Sequence, residues 1–146
     1  MKHIWTVLCK KSTIDRDTNS LSIIDCIDEI TITLHDDAEL GKGLTVPVNF
    51  QFVSLWLMND SGKDVNADIK ILFINPKGKT INEYPGSFTI DKKYKRFRSR
   101  MNLEQIFIKE KGRYFFEVQL RDNKSKKYMS QGSIPFDILV TGVDKK

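Results

Sequence analysis

Cysteine and histidine are almost missing from this chain, with two of each among 146 residues. Two thiols, Cys9 and Cys26, cannot build a disulfide framework, and no further ligands stand at zinc-site spacing. They read as small buried hydrophobes in a reducing compartment, with a cross-strand disulfide as the alternative. A Ser-His-Asp or Cys-His arrangement would have to draw on His3 or His35. Neither adjoins a nucleophile elbow, a glycine-rich phosphate loop or a zinc-protease helix. Paired-carboxylate catalysis leaves no sequence signature. The expectation is therefore a protein that acts by binding, with no catalytic residue, metal or cofactor assigned.

Long apolar runs are also lacking. Nothing approaches the length of a membrane span. The segment Ile4 to Cys9 is too short for a secretory core and runs into Lys10-Lys11. A soluble, cytoplasmic protein with no membrane partner is expected. No internal repeat, low-complexity segment or linker divides the chain, so residues 1–146 read as a single β-sandwich domain.

What is present is ordinary globular composition, 40% hydrophobic and 29% charged, with a formal net charge of +5. That bias favours anionic surfaces without by itself declaring a nucleic-acid binder. The clearest pattern runs from Lys111 to Leu120. Gly112 leads into Tyr114, Phe116, Val118 and Leu120 on one face, with Glu117, Gln119 and Arg121 on the other. A period of two with one wet face marks a half-buried antiparallel strand. The Gly-x-Tyr opening is similar to the tyrosine corner of immunoglobulin-like sandwiches.

Further strands are expected at about His3 to Lys10, Leu21 to Ile27, Ile30 to Leu34, Val46 to Met58 and Ala67 to Ile74. Others are expected at Lys79 to Glu83, Ser87 to Ile90, Lys95 to Leu103 and Ser133 to Val140. Turn chemistry separates them, most clearly at Asn75-Pro76-Lys77-Gly78, where Asn, Pro and Gly occupy their type I positions. One helical turn fits Asp36 to Leu40. The spacing of Leu103, Ile106 and Phe107 suits a strand end or a turn of helix equally well. Short strands at this spacing predict an all-β, two-sheet antiparallel sandwich, immunoglobulin-like, with at most one or two single-turn helices. A closed barrel is the other arrangement.

Three stretches hold chemistry-capable side chains. Asp15-x-Asp17-x-Asn19 matches half of a calcium loop, but Ser20 and Cys26 stand where glycine and glutamate are required, which leaves a hairpin turn. His35-Asp36-Asp37-x-Glu39 groups metal-capable residues but reads as a solvated loop. In the basic run Lys92 to Arg100, a strand would place Arg96, Arg98 and Arg100 on one face about 6.5 Å apart, near the spacing of successive phosphates. Tyr94 would add a stacking platform for a base. The plain alternative is that these cations blunt an exposed sheet edge.

The long strand from Val46 has one core parity, yet Val53, Leu55 and Leu57 make the second parity apolar. Either the chain covers that face itself, or a bulge flips the register, or a protein partner or twin subunit packs there. The leading expectation is accordingly a protein-interaction module or homo-oligomer using Val53, Leu55 and Leu57. The alternative is an accessory nucleic-acid binder using Tyr94, Arg96, Arg98 and Arg100.

The stretch His3 to Cys9, the Asp15 to Asn19 turn and Leu21-Ser22-Ile23-Ile24 stand together with the Asn75 turn and Gly112-Arg113-Tyr114. In these the chain resembles a family of small uncharacterised bacterial proteins, a domain of unknown function. The resemblance implies an immunoglobulin-like sandwich and brings no active-site residues with it.

Overall fold

The computed structural model describes residues 1–35, 38–123 and 125–142. Among the described residues, nine strands and one short helix follow in the order β1 (Lys2–Ile14), β2 (Leu21–Cys26), β3 (Glu29–Leu34), α1 (Ala38–Lys42), β4 (Leu44–Leu57), β5 (Val65–Ile74), β6 (Thr80–Ile90), β7 (Arg96–Ile108), β8 (Gly112–Asp122) and β9 (Met129–Gly142). They form two packed sheets. Sheet A has the order β2-β1-β4-β7 and sheet B the order β3-β9-β8-β5-β6. The chain is thus an all-β two-sheet protein. The expected purely antiparallel pairing fails at one place: β3 runs parallel to β9, from Glu29 opposite Asp137 to Leu34 opposite Gly142. The reason is topological. After pairing antiparallel with β1, the chain crosses to the other sheet at Ile27 and Asp28. There the Ile27 amide donates to the Leu8 carbonyl, and the Asp137 amide donates to that of Asp28.

The core lies between the sheets. From β8 it takes Tyr114, Phe116, Val118 and Leu120, all buried, as the period-two pattern predicts. Phe73 and Phe116 stack at 4.7 Å, and Phe52 meets Phe116 edge-on at 4.9 Å, an arrangement favoured by the ring quadrupoles. The Tyr114 hydroxyl donates to the Glu110 carbonyl at 2.8 Å, fastening the β7–β8 turn to the first residues of β8.

One local reading changes and one open reading is decided. The segments Lys79 to Glu83 and Ser87 to Ile90 form one strand, β6, that runs through Pro85-Gly86. Proline is tolerated because β6 is an edge strand, with a side that needs no ladder donor. Between Leu103 and Ile106 the chain stays extended. β7 buries Met101 and Leu103 but then Ile106 and Ile108, with Glu104 and Gln105 both exposed, and its register against β4 shifts between Pro47 and Phe50. This irregularity produces the helix-like spacing of three.

Candidate basic face

On β4 the inward parity carries Phe52 and Trp56, both buried in the core. The outward parity carries Gln51, Val53, Leu55 and Leu57. Opposite them on β7 stand Asn102, Arg100, Arg98 and Arg96, in that order. The apolar row and the arginine row are therefore one surface, because residues paired across antiparallel strands share a face. β7 is the edge strand of sheet A, so the arginines line its rim.

This face is partly roofed by the chain itself. The Ser12 amide and hydroxyl both donate to Gln51 Oε1, at 3.1 and 2.7 Å, and Gln51 Nε2 donates to Asn102 Oδ1. Farther along, Arg98 donates to the Asn19 carbonyl at 2.8 Å. Both anchors lie on the outward parity, so the β1–β2 hairpin bends back across the sheet. The tip is held in shape locally. Asp15 Oδ1 accepts the amides of Asp17 and Thr18, and Asn19 takes a left-handed φ of 57°. Those amide bonds, Thr18 first, hold the Asp15 carboxyl below the ordinary range.

Burial on this face is graded. Val53 has 0% exposure, Leu55 is half-buried, and Leu57 is 37% exposed. Of the three expected partner contacts, only Leu57 offers substantial surface. On β7, Arg96 and Arg100 are exposed and Arg98 is half-buried beneath the hairpin tip, while Phe97 and Met101 pack inward against the core. Tyr94 precedes the row with 53% exposure, and Lys93 Nζ lies 5.1 Å from its ring centroid.

Charge balance differs between the two outer faces. On sheet B, Arg113 is bidentate to Asp137 at 2.7 and 2.9 Å, Arg121 meets Asp68 at 2.8 Å, and Lys70 lies 3.6 Å from Glu83. The carboxyl of Asp137 is lowered by Arg113, and that of Asp68 by Ser87 and then Arg121. Among the described residues, Arg96, Arg98 and Arg100 have no carboxylate within ion-pair reach, although Lys93 and Lys95 beside them pair with Asp91 and Asp60. Sequence could not disclose this contrast, because it depends on which carboxylates the strand register brings alongside.

Other candidate chemistry falls elsewhere. His3 Nε2 lies 2.7 Å from Thr6 Oγ1, which lies 2.7 Å from Ser54 Oγ. Ser54 is 1% exposed, so this relay ends in the interior. Burial lowers the His3 pKa, and the Trp56 indole donates to the buried Ser99 hydroxyl nearby. Asp36 and Asp37 of the acidic loop lie outside the described residues, as does the side chain of Glu39. Among the described residues no three His, Cys, Asp or Glu side chains come together, and no helix is long and apolar enough to cross a membrane. Neither the protein-family models nor the curated proteins contain a match to this chain.

Proposed function

We propose that the protein is an immunoglobulin-like, non-catalytic binding module that takes a phosphate-bearing polymer, a single-stranded nucleic acid, along the rim of sheet A. The carrying observation is the row Arg96, Arg98 and Arg100, without a carboxylate partner among the described residues, while the other strand arginines, Arg113 and Arg121, are paired. A guanidinium is planar, always charged and forked for phosphate oxygens, so three in line offer a linear anion track. Their repeat of about 6.5 Å suits the spacing of an extended phosphate backbone. Tyr94 at the head of the row supplies an exposed ring on which a base can stack. The immunoglobulin-like part of the reading draws support from the Tyr114 hydroxyl tied to the Glu110 carbonyl at the start of β8.

An apolar protein interface on the same face is the weaker reading, since the hairpin removes Val53 from contact and leaves Leu57 as the main exposed group. The test is fluorescence anisotropy with a labelled mixed-sequence single-stranded oligonucleotide across a salt series. Three phosphate contacts predict a slope of log affinity against log salt of about −2. The Arg96→Ala, Arg100→Ala double variant should lose binding while keeping its urea midpoint. Salt-independent binding, or binding that survives the double variant, would remove the proposal. Concentration-dependent self-association abolished by Leu57→Asp would restore the protein-interface reading.

A further inference from the structure

We propose that Cys9 and Cys26 are a peroxide-responsive thiol pair that closes to an intramolecular disulfide at the root of the β1–β2 hairpin. Both are free thiols, Cys9 buried and Cys26 exposed, and they stand directly opposite each other in the β1–β2 register. Directly opposed residues of antiparallel strands have Cα atoms about 4.5–5.5 Å apart, inside the window of about 4.4–6.8 Å that a disulfide spans. Cys9 also faces Gln51 on β4, which places the pair on the outward parity of sheet A, at the edge of the roofed face.

The asymmetry in burial assigns the roles. Cys26 is open to solvent and meets the oxidant, whereas Cys9 has no exposed surface. Burial, and then the neighbouring Cys26, push the Cys9 thiol up, so it stays protonated and inert until its partner is activated. In the first step the Cys26 thiolate attacks one peroxide oxygen. The O–O bond breaks, Cys26 becomes a sulfenic acid, and the second oxygen leaves as water after taking a proton. In the second step Cys9 loses its proton and attacks Cys26 Sγ, the S–S bond forms, and the sulfenic oxygen departs as water. Two thiols are oxidised by one peroxide, which is reduced to two waters. The bridge would pin β2 to β1 just where the hairpin leaves the sheet. This inference is independent of what the arginine row binds.

The test is intact-mass and free-thiol measurement on the folded protein exposed to hydrogen peroxide. Both thiols should disappear together with a loss of about 2 Da, reversed by dithiothreitol, and digestion should yield one peptide pair joined through Cys9 and Cys26. In Cys9→Ser, Cys26 should accumulate as a dimedone-trappable sulfenic acid; in Cys26→Ser, Cys9 should remain a thiol. Closure in urea should be slower by about tenfold or more, because register supplies the effective concentration. Oxygen gained at Cys26 with Cys9 still free, a bridge between two chains, or equal rates folded and unfolded would each overturn the proposal.

Discussion

Arg98 on β7 donates to the main-chain carbonyl of Asn19 at 2.8 Å, joining residues 79 positions apart. This contact and the Ser12–Gln51 bonds hold the β1–β2 hairpin down on sheet A. Arg98 therefore differs in role from its neighbours. Arg98→Ala should lower stability by about 1 kcal/mol, the worth of a hydrogen bond from a partly shielded charge. Arg96→Ala and Arg100→Ala should each stay within about 0.5 kcal/mol of the parent. Urea unfolding of the three single variants checks the ranking, and equal effects would show that the hairpin contact adds nothing.

Tyr114 is fully buried, lies 4.8 Å from the Phe73 ring and donates its hydroxyl to the Glu110 carbonyl. Tyr114→Phe keeps the ring and strands the carbonyl, so a loss of about 1–2 kcal/mol is expected. Denaturant midpoints measure it. No change would mean that water satisfies Glu110 equally well.

Two nearby glycines should respond oppositely to alanine. Gly43 has a φ of +93°, and a Cβ there would lie 2.4 Å from the Phe107 ring, so Gly43→Ala should cost about 1–3 kcal/mol. Gly41, inside α1, has open space around it and no left-handed backbone, so Gly41→Ala should stabilise by up to about 1 kcal/mol. Thermal melts of the two variants should move in opposite directions.

Burial pushes the Tyr84 phenol up to about 12 from an ordinary 10.0, against the opposing hydrogen bond from Asn82. Tyr114 and Cys9 are raised as well. The folded state thus keeps protons that the unfolded chain has already released. Stability from Tyr84 is complete below the ordinary value and is lost as pH climbs through about 12. The carboxyls of Asp68 and Asp137 are shifted down, so their contribution is complete above an ordinary 3.8 and falls away as acid protonates them. Urea midpoints against pH should show a plateau with both limbs descending, and Tyr84→Phe should flatten the alkaline one. An unchanged alkaline limb in that variant would assign the loss to other groups.

Strand content was readable wherever local chemistry decides it. Tyr114 to Leu120 alternates cleanly, and Asn75 closes its turn by accepting the amides of Lys77 and Lys79 on its side chain. The break expected between Glu83 and Ser87 did not hold, because tolerance of Pro85-Gly86 within a strand depends on being at an edge, and edges are set by pairing. Leu103 and Ile106 left strand and helix undecided because an irregular strand imitates a helical period. The candidate site was half legible. The arginine alternation is local, and so is the apolar parity of Val53, Leu55 and Leu57. Their union in one face comes from the β4–β7 register. The roof over Val53 comes from a hairpin anchored through Asn19. No pattern within a short window carries either fact.

The crossing of the chain at Ile27 and Asp28 has a consequence for biosynthesis. β3 is made early but finds its hydrogen-bonding partner only in β9, the last described strand. At about 5–20 residues per second on the ribosome, β3 waits several seconds with that ladder unmade. Sheet B can gather β5, β6 and β8 during this interval, yet its far edge closes only when β9 is supplied. On the nascent chain β3 therefore has no ladder partner until β9 has been made.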